Sequence, residues 1–182
     1  MRIVITGAQS GYSSKTVYNL MFKDAKKKIQ TLALGEMRLT LAACGSPWAE
    51  HLAVSMYFSM PGSKLELFLP EPYDFEKGEF TGIGVSLNVM HRSFGRLLES
   101  NTVSAPKRVK ESGAHVEVVP VSQPRIDKLF GDDENRLLLV YSPEPIAGFP
   151  RLVWNKWSGF PRHHIDTKQF KLEAAKIENP QG

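Results

Sequence analysis

The chain has 182 residues, 42% hydrophobic and 23% charged, a length that fits one domain able to bury roughly 70% of its unfolded surface without the help of metals or disulfides. Its single cysteine, Cys44, excludes an internal disulfide framework, and no run approaches the roughly 18 apolar residues of a membrane helix. The net charge of +4 is spread along the chain without the motifs of nucleic-acid binders, which argues against a nucleic-acid partner.

In chain order, Arg2 to Thr6 (RIVIT) is a β-branched apolar run ending at Gly7 and predicts a buried strand. The opening MRIVITG lacks the charged leader and long apolar stretch of a targeting segment, so a cytoplasmic protein is expected. Ser13 or Ser14 suits an N-cap, and Val17, Leu20, Met21 and Ala25 then recur at helical spacing. The run Lys26-Lys27-Lys28 reads as the end of that helix, where cations complement the macrodipole. Arg38 to Ala43 predicts a second strand, and Ser46-Pro47 a helix start with proline at the first position, carrying Trp48 to Met60.

Leu65 to Leu69 predicts a third strand, and Tyr73 to Ser86, which has no clear period, a long loop. Helices are expected over Leu87 to Leu98 and Ala105 to Ser112. Strands are expected at His115 to Val119 and Leu137 to Tyr141, with a turn or two of helix at Gln123 to Phe130 between them. A Pro-rich loop, a helix near Leu152 to Trp157, a final strand at Arg162 to Ile165 and a charged helix from Lys168 complete the chain. Strands that alternate with helices and read as continuous apolar runs imply a parallel sheet covered on both faces. The expected fold is therefore α/β: a three-layer Rossmann-like domain with a mostly parallel sheet of about five strands over residues 1–166, and an extension over 167–182. In such sheets ligands lie beyond the carboxyl ends of the strands, and four segments fall there.

The first is Gly7 to Thr16, where Gly7 and Gly11 allow close backbone approach to an anion and Ser10, Ser13 and Ser14 add hydroxyl donors. It is not a Walker A loop, because Lys15 stands four residues after Gly11 rather than directly after a glycine. The second, Cys44 to Val54, offers Gly45 in the turn, Trp48 as a stacking ring, and Glu50 as a ribose-hydroxyl acceptor or acid/base group. Trp48 and His51, three apart, would share a helix face. The third places Asn88, His91 and Arg92 at helical spacing, with Arg92 a natural phosphate partner. The fourth, Glu144 to Trp154, contains Gly148 and Arg151. His163 and His164 are adjacent in a strand and point to opposite faces. With no partners at ligand spacing they make no metal site, and no metal or cofactor is expected.

By its second and third segments together the chain resembles the SLOG superfamily, the Rossmannoid group that includes lonely-guy phosphoribohydrolases and DprA-like proteins. More closely, it is similar to a divergent branch partly found in phages. The resemblance is carried by Cys44-Gly45-Ser46-Pro47-Trp48-Ala49-Glu50-His51-Leu52-Ala53-Val54, by Leu69-Pro70, and by Asn88, His91 and Phe94, within residues 1–166. It implies a nucleotide or nucleotide-derived ligand, with Gly7, Gly45, Glu50, Asn88 and His91 lining the pocket. The chain departs from the superfamily where a late glycine-rich phosphate loop is usual: it has Ala147-Gly148-Phe149-Pro150-Arg151, in which Phe149 carries a Cβ and Pro150 lacks an N–H. Nor is the arginine-plus-glutamate motif of the phosphoribohydrolases evident. Where the branch has Gly-Phe-x-x-Arg-Asn, the chain keeps Arg125 alone. The expected function is accordingly binding, sensing or sequestering, of a nucleotide or ADP-ribose-like ligand. One alternative is an N-glycosidase or ribosyl-transfer enzyme with Glu50 and His91 as catalytic residues, and the other a structural protein with a degenerate pocket. Rossmann-like subunits often pair around a pocket, so a homo-oligomer is expected by analogy.

Overall fold

The computed structural model describes residues 1–8, 14–36, 38–82, 88–90, 92 and 104–180. Its elements in chain order are β1 (Arg2–Gly7), α1 (Lys15–Leu32), β2 (Thr40–Ala43), α2 (His51–Ser59), β3 (Lys64–Leu69), β4 (Tyr73–Asp74) and β5 (Glu79–Phe80). They continue with α3 (Ser104–Glu111), β6 (His115–Val118), α4 (Ser122–Phe130), β7 (Arg136–Ser142), α5 (Gly148–Lys156), β8 (Arg162–Asp166) and α6 (Lys168–Glu178). Among the described residues six strands form one sheet in the order β6-β3-β2-β1-β7-β8, and every neighbouring pair is parallel. This is the expected α/β architecture with one strand more than five, because β8 pairs along β7 from Leu138↔Arg162 to Ser142↔Asp166.

Strand pleating divides β1 between two cores. Ile3 and Ile5 pack with Val17, Met21, Ala25 and Ile29 of α1, Leu52 of α2 and Phe170 of α6. Val4 points the other way, joining Leu138 and Val140 of β7, Ile126 and Leu129 of α4, and Val153 of α5. Helices thus cover both faces, which is why β1 and β7 are buried almost end to end. The chain adds β2, β3 and β6 outward on one side of β1, then crosses back to lay β7 on the other side. Strand order therefore reverses between β1 and β7.

Four local expectations are corrected. Ser14 does cap α1, accepting from the Val17 N–H at 3.3 Å, but the helix does not stop at the lysines. Ile29 extends the Val17, Met21, Ala25 stripe by one more turn, so α1 runs to Leu32, and Lys28 is held by Asp24 one turn back. Helix α2 begins at His51, not at Pro47, because Trp48 takes a left-handed φ of 65° that breaks any helix through it. The stretch after β3 contains the hairpin β4–β5, whose strands of two residues each are too short to display alternation. The Asp74 carboxylate accepts the Glu76 and Lys77 N–H groups in its turn, and Tyr73 stacks edge-on against Phe80. Last, α5 starts at Gly148, so Phe149, Pro150 and Arg151 form a first helical turn rather than a loop. A proline fits there because the first N–H groups of a helix have no intrahelical partner.

Residues 88–90 and 92 are helical, within the helix expected over 87–98, and the remainder of that span lies outside the described residues. Helix α6 packs back on the body: Phe170 and Ala174 are buried, and Phe170 lies against Tyr141. Among the described residues no helix is long and apolar enough to cross a membrane.

Candidate functional site

A cleft of about 380 Å³ opens where the strand order reverses. Its walls come from Gly7 and Ala8 after β1, Glu50 before α2, Ser142 and Pro143 ending β7, and Gly148 and Phe149 opening α5. Gly7 is required by packing: a Cβ there would stand 1.9 Å from the Tyr141 carbonyl oxygen and 2.6 Å from Ala49 Cβ. The side-chain-free backbone lets β1 pass under the turn before α2 and brings Glu50 to the strand ends. Gly148 has a φ of 61° and open space where a Cβ would go, so conformation rather than room selects glycine there.

Glu50 is the acidic side chain of the cleft lining among the described residues, and it is 1% exposed. Thr6 Oγ1 donates to its Oε1 at 2.9 Å, and the Ser46 N–H donates to its Oε2 at 2.9 Å. Among the described residues no cation comes within ion-pair distance of it. Burial raises its pKa above the ordinary glutamate value. The hydrogen bonds from Ser46 and Thr6, and more distantly Arg125, oppose that rise without cancelling it. The result is a carboxyl fixed at both oxygens, facing a cleft, and able to hold a proton at a higher pH than a free glutamate. Neighbouring Cys44 is buried, and its thiol pKa is pushed well up by that burial and by Glu50, so it stays a thiol.

Of the residues singled out in the sequence, Gly7, Glu50 and Gly148 meet in this cleft; Ser10, Gly11, Ser13 and His91 lie outside the described residues. Six others stand elsewhere. Gly45 makes the turn after β2 with a φ of 75°, against Leu69. Trp48 is buried at 4% exposure rather than presented at a rim, and packs edge-on to Tyr18; His51 lies on the same tyrosine. Asn88 clamps the β4–β5 hairpin: its Oδ1 accepts from the Phe80 N–H at 2.7 Å and its Nδ2 donates to the Phe80 carbonyl at 2.8 Å. Arg92 and Arg151 are exposed and do not line the cleft.

Two groups emerge that sequence spacing does not reveal. His164 Nε2 lies 3.0 Å from the Ser142 carbonyl oxygen and 3.2 Å from its Oγ, while Nδ1 lies 3.5 Å from a Glu144 carboxylate oxygen. A ring nitrogen that donates to the carbonyl cannot also accept the hydroxyl proton, so this trio fastens the rim after β7 rather than activating Ser142. The second is Arg125, buried on α4 with its guanidinium 5.0 Å from the ring centroid of cleft-lining Phe149. The only signal for it in the sequence was its place in the partly kept segment after the fourth expected strand. Set against protein-family models, curated proteins and solved structures, the chain matches none of them.

Proposed function

We propose that the cleft binds a nucleotide or an ADP-ribose-like derivative, as a sensing or sequestering site. The observation that carries this reading is the cleft's position at the reversal of strand order, between Gly7 ending β1 and Gly148 opening α5. Nucleotides bind parallel open sheets at such reversals. Open space stands where a Cβ would go at Gly148, which permits close backbone approach, and the N-terminus of α5, which no side chain caps, favours a negative group. At about 380 Å³ the space is in the lower part of the range for small-ligand sites. The Cys44–Val54 resemblance to the SLOG superfamily points the same way, and Glu50 is suited to meet a ribose hydroxyl.

A second reading rests on Glu50 itself. A buried carboxyl that keeps its proton above the ordinary range is suited to protonate the leaving base as an N-glycosidic bond breaks. Two measurements separate the readings. Mass spectrometry of the natively purified protein is expected to show a retained nucleotide. Incubation with nucleoside monophosphates and NAD is expected to release no free base. Base released by the wild type and not by Glu50→Gln would install the enzymatic reading. No retained nucleotide, together with no thermal stabilisation by any member of a nucleotide panel, would remove the binding one.

A further inference from the structure

Among the described residues two arginines are buried, and they are built differently. Arg2, 4% exposed, has all three of its nitrogens engaged: Nε donates to the Leu129 carbonyl at 2.8 Å, Nη1 to Asp133 at 3.1 Å, and Nη2 to both Glu66 and the Lys128 carbonyl. That is an arginine whose charge and hydrogen bonds are satisfied by the fold. Arg125, 8% exposed, is not so satisfied. Nη1 reaches the Val119 carbonyl at 3.3 Å, Nη2 reaches Ser122 Oγ at 3.5 Å, and the buried Nε has no partner. Among the described residues no carboxylate forms an ion pair with it. A guanidinium carries five N–H donors, and leaving such a charge buried with two long contacts is costly. A structural role does not explain that cost, since the same fold shows at Arg2 how one is met.

What stands before Arg125 is the Phe149 ring, in the first turn of α5 and in the wall of the cleft. We infer that Arg125 is a recessed anion receptor of this cleft, covered by the Phe149 ring, which turns aside so that a phosphate group pairs with the guanidinium. The planar fork matches two phosphate oxygens. The uncapped N-terminus of α5 carries Phe149 and supplies backbone N–H groups beside the same place. The phenyl ring stabilises the empty state by cation–π contact, which makes uptake selective for a ligand whose anion is strong enough to displace it. This deepens the reading of the cleft as a nucleotide site and rests on it.

The test uses calorimetric titration of the full chain with nucleoside monophosphates, ADP-ribose and the corresponding nucleosides. Arg125→Met is expected to weaken a bound monophosphate at least tenfold and leave its nucleoside unchanged. Phe149→Ala is expected to speed monophosphate association. Equal monophosphate affinity in wild type and Arg125→Met overturns the receptor while leaving the nucleotide reading intact. If the wild type binds no nucleotide or nucleoside, that reading fails by itself, and inorganic pyrophosphate decides the receptor. A pyrophosphate-dependent rise in Tm that Arg125→Met abolishes supports it, and no rise in the wild type overturns it. Should Arg125→Met fail to fold, Arg125→Lys replaces it, keeping the charge without the fork; undiminished phosphate affinity there overturns the proposal.

Discussion

At Glu50 the fold holds a carboxyl where water cannot reach it freely, and the consequence is a dependence on pH. Its pKa is raised in the folded state, so the native protein holds that proton more tightly than the unfolded chain. The stability this contributes is complete below the ordinary value of 4.5 and is lost as pH rises through the raised folded value. Glu50→Gln removes the titration but keeps the geometry: its carbonyl accepts from Ser46, and its amide donates to Thr6 Oγ1, which turns from donor to acceptor. Urea midpoints measured from pH 4 to pH 8 are expected to fall less steeply for the variant than for the wild type across that window. A second residue-scale test concerns Gly7. The backbone oxygen that a Cβ would strike cannot move without breaking the β1–β7 ladder. Gly7→Ala is therefore expected to cost roughly 1–3 kcal/mol or more, read as a lower urea midpoint with unchanged slope.

Among the elements, α6 and the β4–β5 hairpin carry separable predictions. Helix α6 is anchored by Phe170, 6% exposed and packed on Tyr141, whose hydroxyl donates to Asp24 of α1 at 2.7 Å. Deleting a buried phenyl costs about 3–5 kcal/mol. Phe170→Ala is expected to unfold the whole protein in one lowered transition, measured by circular dichroism, rather than to free the helix alone. Asn88 presents the opposite case, a polar residue spent on structure. Its two hydrogen bonds hold Phe80 in the hairpin, outside the cleft. Asn88→Ala is expected to lower stability by about 1–3 kcal/mol and to leave nucleotide affinity in calorimetry unchanged.

For the whole molecule, the return of the chain from β6 to β7 creates the cleft, and a ligand there would tie β1, the turn before α2, β7 and α5 together. Binding to the native state alone adds stability by mass action. A nucleotide at 100 times its Kd is expected to stabilise by about 2.7 kcal/mol, measured as a raised Tm that grows with nucleotide concentration. Much of this architecture was legible from the residues in order. Short apolar runs such as RIVIT and LLLVY, bounded by turn residues, read as buried strands, and the helical periods between them imply a parallel sheet with two covered faces. The placement of Gly7, Glu50 and Gly148 beyond the carboxyl ends of the strands was equally legible, because each follows a run that reads as a strand. Other placements depended on distances between segments far apart in the chain. The burial of Trp48, the use of Asn88 as a hairpin clamp, the pairing of β8 along β7 and the position of Arg125 behind Phe149 are of this kind. Local periodicity determines which face of an element is apolar. Only the packed sheet decides which polar group ends beside which cleft, because that follows from strand order, and strand order is set by contacts across the whole chain.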